Sequence, residues 1–319
     1  MEDKVFDNIF KAVETLEPST RFLEVEKGNK NLVMSNNFMI VEMPNGKARL
    51  LPHMLMINIY RGQTKDWLIQ PNILRDNLSK EELIINNIKI IDYELVLRSH
   101  PRVEMAIEET LDIDFESLAQ HYGLKTNLVD FTFDIAVAAF FATNRYNSEK
   151  KIYEPVEKGI GIIYHDLSIA HNLDEYSPLG IQPFKRPHKQ KATSIKVSDW
   201  SKYNQMLGKV RFYQNYEKSK MINEFFTGIN ELFPIEDIVG ITDEIIDLNK
   251  ISSQAIDIYS EKHNFDKQKL VEIIKSKGYS ITDENIYKLS RQVRRNIKRN
   301  LKGSIAEELG IISSSRLNF

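Results

Sequence analysis

The sequence predicts a mixed α+β fold. Three observations point there. β-rich stretches fill residues 20–60, a long helical stretch occupies 79–122, and further strand signals return at Gly159–Tyr164 and Val210–Tyr213. Strands separated by blocks of helix in this irregular order build a sheet with helices packed on it rather than a helical bundle or a pure sandwich.

Residues 3–17 begin the chain with a short amphipathic helix, since Val5, Ile9, Phe10, Val13 and Leu16 recur near the 3.6-residue period. Phe22–Val25, Phe38–Glu42 and Leu55–Tyr60 read as strands, with turn chemistry at Pro44-Asn45-Gly46. Ser79-Lys80-Glu81-Glu82 has the capping-box pattern at a helix start. A second helix fits 92–110, and Pro101 inside that window suits a new helix start better than a helix interior. Phe115–Tyr122 forms a third, closed by Gly123. Leu128-Val129-Asp130-Phe131-Thr132 reads as a turn-like connector into a small, apolar, buried helix over Ile135–Ala142. Residues 166–190 are loop-rich and 217–232 helical.

After about residue 250 strand signals fade. Residues 251–319 are expected to be an all-helical extension, with Ser280-Ile281-Thr282-Asp283 resembling another capping box. Residues 285–303 hold seven basic side chains and no acidic one, among them Arg291, Arg294, Arg295, Lys298 and Arg299. Such a helix either contacts nucleic acid phosphates or an acidic partner, or is a solvated face. Three regions follow: 1–50 as a lead-in, 51–250 as the main domain, and 251–319 as the extension.

Bulk numbers exclude several classes. At 319 residues, 42% hydrophobic and 28% charged, the chain builds its own core. It has no Cys, which removes disulfides, thiolate metal sites and Cys nucleophiles and fits a cytoplasmic setting. No apolar run reaches the ~20 residues of a membrane helix, so no membrane partner is expected. The phosphate-binding G-x-x-x-x-G-K-[ST] loop, the H-E-x-x-H zinc motif and the G-x-S-x-G elbow are absent, and the His residues lack metal-ligand spacing, so no metal is expected.

Two segments remain as candidate chemistry. In the first, a strand ending in Tyr60-Arg61-Gly62-Gln63 offers a guanidinium fork suited to phosphate or carboxylate, a ring for stacking, and a Gly that allows close backbone approach to whatever Arg61 holds. A structural ion pair beside a turn Gly is the other reading. In the second, His121, Tyr122, Thr126, Asp130 and Thr132 crowd beside the apolar helix, where polar groups either satisfy each other or line a pocket. Asp130 alternatively caps the helix starting near residue 133.

Together the two segments resemble the FRG domain family, named for its (Phe/Tyr)-Arg-Gly motif. The resemblance covers roughly residues 55–245: Tyr60-Arg61-Gly62-Gln63, then Trp67, Pro71 and Arg75, then Leu118–Gly123 with Thr126, Leu128, Asp130 and Thr132, then the helix Ala138–Ala142, and last Leu232-Phe233-Pro234. Asn127 and Phe131 depart from the usual basic residue and Trp. The Tyr-Arg-Gly strand is also similar to the first motif of ADP-ribosyltransferases. That similarity implies an ADP-ribosyltransferase-like core and NAD as substrate. It also implies a toxin or antiphage effector modifying RNA or another macromolecule, with an antitoxin or regulatory protein as a further partner. In that reading Arg61, His121 and Asp130 are catalytic, Tyr60, Gly62, Gln63, Tyr122, Thr126 and Thr132 bind the nucleotide, and Glu224 and Glu231 are candidates for an additional acid. A non-catalytic nucleotide-sensing or partner-binding module is the alternative.

Overall fold

The computed structural model describes residues 5–16, 38–42, 47–52, 58–75, 77–167, 175–226, 232–301 and 303–309. The expected strand at 22–25, the turn at 44–46, Glu231 and Lys302 lie outside them. The strands in chain order are β1 (Val5–Phe6), β2 (Phe38–Glu42), β3 (Ala48–Pro52), β4 (Asn58–Gln63), β5 (Val129–Thr132), β6 (Asn144–Asn147), β7 (Ile152–Pro155), β8 (Ile160–Leu167), β9 (Tyr176–Pro178), β10 (Ala192–Ile195), β11 (Gly208–Tyr213), β12 (Lys250–Ser252) and β13 (Ser280–Thr282).

Seven of them form the main sheet, in the order β1-β11-β8-β4-β5-β10-β9. All pairs are antiparallel except β1 with β11. The fold is therefore mixed α and β around a mostly antiparallel sheet. Side chains alternate across a strand, and β4 shows the result: Ile59 joins a cluster with Val129, Phe131 and Ile162, while Tyr60 joins the opposite one with the helix Ile135–Thr143. That helix is apolar all round and buried nearly throughout, as a helix enclosed by its neighbours must be.

The sheet has a local defect that matters below. β4 runs against β8 along its full length, from Asn58 to Gln63, but meets β5 at one register pair, Tyr60 with Thr132. Past that point the two central strands part. Asp130 and Arg61 stand where they separate.

The helix Lys80–Arg98 is the spine of the molecule. Ser79 and Glu82 close a full capping box at its start, as the sequence pattern predicts. One side of it packs Tyr93, Val96 and Leu97 against Leu118, Phe184 and Ile241. The other packs Ile85, Ile88 and Ile91 against Ile251, Ile256, Leu270 and Ile274. Residues after 250 thus share a hydrophobic cluster with this helix. The bond to it is also polar: buried Asp92 accepts from the Ser252 backbone and hydroxyl, at 3.1 and 2.5 Å.

Three sequence expectations change. The second helix begins at Pro101, its first residue, and residues 92–98 belong to the preceding one. The connector at 128–132 is strand β5, held by register with β10. The extension is not all-helical: Ser280–Thr282 is a strand, parallel to β12, and not a helix start. Ser252, Asp266 and Ser290 cap the helices there instead. No helix among the described residues is long and apolar enough to cross a membrane.

Candidate functional site

A cleft of about 430 Å³ opens where β4 and β5 part. Arg61, His121 and Asp130 all line it, together with Tyr60, Gly62, Gln63 and Thr132. Their convergence follows from the elements that hold them. Arg61 is inside β4, one residue past the last β5 contact, rather than at the strand's end. Asp130 is inside β5. His121 is the last residue of the helix Phe115–His121, and Gly123 turns the chain away at φ +104°.

Polar atoms in the cleft are left open. Arg61 donates from one terminal nitrogen to the Asp130 carbonyl at 2.6 Å. Its Nε is buried without a partner, and so are His121 Nε2 and Asp130 Oδ1. The last two face each other at 3.9 Å, beyond hydrogen-bond reach. Buried polar atoms are nearly always satisfied, so three unpartnered ones on one cavity single it out as the candidate site. Burial and the nearby Arg75 push the Arg61 guanidinium down to about 10, against the opposing pull of Asp130 and Tyr164. It stays cationic at neutral pH.

The far wall is aromatic. Phe141 on the buried helix, Tyr146 on β6 and Tyr153 on β7 line it, with Arg145 beside them and Trp67 at the mouth. Tyr153 stacks on Phe233 with centroids 4.9 Å apart and planes at 19°, which fixes its ring. The cleft therefore has a cationic, hydrogen-bonding pole and a ring-lined pole.

Several expected residues take other roles. Asp130 does not cap the following helix; Asp134 does, accepting from the Ala136 amide at 2.8 Å. Gly62 serves a neighbour other than a ligand: a Cβ there would stand 1.7 Å from the Ala138 carbonyl oxygen, so its bareness lets the buried helix lie on β4. Thr132 spends its hydroxyl on the Gln190 carbonyl at 2.6 Å and on the Asp134 amide at 3.0 Å. Gln63 donates to the Trp67 carbonyl at 2.7 Å and shapes the mouth.

Tyr122 and Thr126 do not line the cleft. The Tyr122 ring packs edge-on to Phe184 and beneath the Arg186 guanidinium, and its hydroxyl bonds Glu236. Thr126 is buried and bonds Gln120. Glu224 sits exposed on the helix Tyr216–Phe225 beside Lys220. Asp130 is the one carboxylate among the described residues lining the cleft.

The sequence reading passes over the β6–β7 hairpin and Arg186. Arg186 donates to the His121 carbonyl at 2.8 Å and pins the helix end that presents the imidazole. The hairpin has a readable signal in Asn147-Ser148-Glu149 between two Tyr-bearing stretches.

The basic helix Arg291–Asn300 forms as expected and buries no residue. Arg294 and Lys298 pair with Glu104. Arg291, Arg295 and Arg299, one helical row, point into solvent.

Residues 57–151 match the family model of the FRG domain. That segment runs from β4 to the β6–β7 turn. It contains every residue named as lining the cleft except Tyr153 and Gln190. No curated protein and no solved structure matches the chain.

Proposed function

Starting from a chain whose FRG-matching segment supplies nearly the whole cleft, we propose that the cleft binds a nucleotide and uses NAD as an ADP-ribosyl donor. The observation that carries this reading is the pairing of two unlike poles in one cavity. Arg61 fits a pyrophosphate or ribose, and the ring-lined wall of Phe141, Tyr146 and Tyr153 fits a base. The reaction class comes from the resemblance of Tyr60-Arg61-Gly62 to the opening ADP-ribosyltransferase motif.

In the proposed reaction the bond from ribose C1′ to the nicotinamide nitrogen breaks, and nicotinamide leaves with the electron pair. Positive charge develops on the ribose, where the open Asp130 Oδ1 stabilises it. An acceptor oxygen or nitrogen bonds C1′ and gives its proton to His121 Nε2, which has no other hydrogen-bond partner. The acceptor is RNA, held through phosphates along Arg291, Arg295 and Arg299. The biological setting is a toxin or antiphage effector, restrained by an antitoxin.

One observation favours a second reading, a nucleotide-sensing module without turnover: the described lining residues offer Asp130 alone as an acid, and no Glu. Labelled NAD with candidate RNA acceptors separates the two. Nicotinamide release, lost in Arg61→Ala with the fold intact, supports the transferase. Saturable NAD binding with no release supports the module. Absence of NAD binding sinks the transferase.

A further inference from the structure

A second cavity, of about 370 Å³, lies where the spine helix meets the segment after His121 and the region after 250. Its walls mix apolar and cationic groups. Ile85, Leu124 and Ile246 provide a greasy side, and Tyr279 adds a ring. The charged lining is Glu82 with Lys89, Lys125 and Lys277, a net charge of +2 from three cations and one anion.

Lys89 is the unusual member. It is 7% exposed and lies on the buried side of the spine helix. Its ammonium donates to the Ile246 carbonyl at 3.0 Å and sits 5.0 Å from the Tyr279 ring centroid. Burial pushes its pKa down, with Asp247 and Asp92 pulling it back up through space. No carboxylate is in ion-pair contact with it among the described residues. An ammonium has three donors, and the carbonyl takes one. A buried cation without an ion-pair partner is costly unless something anionic meets it. Lys277 reaches the Ser79 hydroxyl at 3.1 Å and Glu82 at 3.9 Å, so it sits at the rim, partly exposed and within reach of an occupant.

We infer that this cavity is a second ligand site, separate from the Arg61 cleft, for a small phosphate monoester: the phosphoryl group meets Lys89, Lys125 and Lys277, and the organic part lies against Leu124, Ile246 and Tyr279. The volume suits a small metabolite. A doubly charged phosphoryl group matches the net charge of the lining.

Titration calorimetry on the full chain tests this, with AMP, adenosine, inorganic phosphate and pyrophosphate as probes. The background is Arg61→Ala, which disables the first cleft and removes its contribution. AMP is expected to bind this variant saturably, adenosine not. A further Lys277→Glu change, at an exposed position, is expected to weaken AMP at least tenfold, and Lys125→Glu to do the same. Three results overturn the site. The first is no saturable binding of AMP, phosphate or pyrophosphate at millimolar concentration. The second is AMP binding indifferent to both reversals. The third is AMP binding to the native chain that Arg61→Ala alone abolishes. The proposal does not rest on NAD chemistry, so failure of nicotinamide release leaves it untouched.

Discussion

Two arginines of this protein sit in polar clusters with carboxylates close by, and they behave oppositely. Arg49 on β3 is fully engaged. Its Nε and a terminal nitrogen clamp Asp112 at 2.7 and 2.6 Å, a terminal nitrogen reaches Asp114 at 3.3 Å, and the other donates to the Ser177 hydroxyl at 2.7 Å. Asp114 in turn caps the helix that ends in His121, accepting from the Ser117 amide at 2.9 Å. Arg61 holds a single carbonyl and keeps its Nε open, as do its neighbours His121 and Asp130. The first cluster is closed on itself and serves the fold. The second leaves Arg61 Nε, His121 Nε2 and Asp130 Oδ1 without hydrogen-bond partners. Satisfaction of donors and acceptors, rather than residue type, tells the two apart.

That contrast can be broken at several points. The largest effect is expected at Gly62→Ala, since the new methyl would stand 1.7 Å from backbone oxygen that cannot move without shifting the buried helix. Overpacking usually costs about 1–3 kcal/mol, and a collision with backbone, which cannot repack as a side chain does, belongs well above that range. Urea unfolding with a midpoint close to that of the native protein would show the contact to be soft. Arg49→Met comes next. Removing one partner of a buried pair strands Asp112 and Asp114, at a cost of about 3–5 kcal/mol. Denaturant unfolding measures it, and a loss under 1 kcal/mol would remove the closed cluster from the comparison.

Arg61→Ala is expected to cost stability at the low end of about 1–3 kcal/mol, because it strands no partner but a carbonyl, while abolishing NAD binding. Equal stability losses at Arg49 and Arg61 would erase the distinction drawn between them. Asp130→Asn keeps size and removes charge. On the transferase reading it lowers turnover about 10²–10³-fold with NAD affinity little changed, as separate kcat and KM measurements reveal.

The smallest effect concerns acid. Burial works against ionisation of Asp114, but Arg49 and the hydrogen bonds from Ser177 and Ser117 outweigh it and hold the carboxyl below its usual value. A carboxyl depressed in the folded state adds stability that is present above its unfolded pKa, about 3.9. That stability is lost as pH falls through the lower folded value. Unfolding measured from pH 6 downward should show this decline in the native protein, and a flatter one in Asp114→Asn. Parallel curves would mean Asp114 is not coupled to folding.

The sequence showed three of the cleft's polar residues because each stands in a short, chemically unusual context. Arg61 precedes a Gly in a strand, and His121 and Asp130 crowd an apolar helix. Adjacency misled at Tyr122. Successive helical residues point about 100° apart, so the residue after His121 faces the opposite core. Gly62 misled differently. Its sequence context signals close approach, but not by what, and a helix 76 positions later is the answer. β5 was illegible locally, since four residues with an Asp and a Thr look like a turn until β10 pairs with them. The same holds for β13, whose partner β12 lies thirty residues back across two helices. Arg186 and Glu236, which brace the His121 helix from afar, lie in loop-rich sequence with no periodicity to announce them.

The contact between Gly62 and the Ala138 carbonyl has a consequence for anyone wishing to move this site elsewhere. Grafting Arg61, His121 and Asp130 onto another scaffold as a three-residue constellation would transplant the letters without the spacing. The distance between strand and helix is set by an absence of atoms, so the portable unit is the whole β4–helix sandwich, and the glycine is the part a designer must copy first.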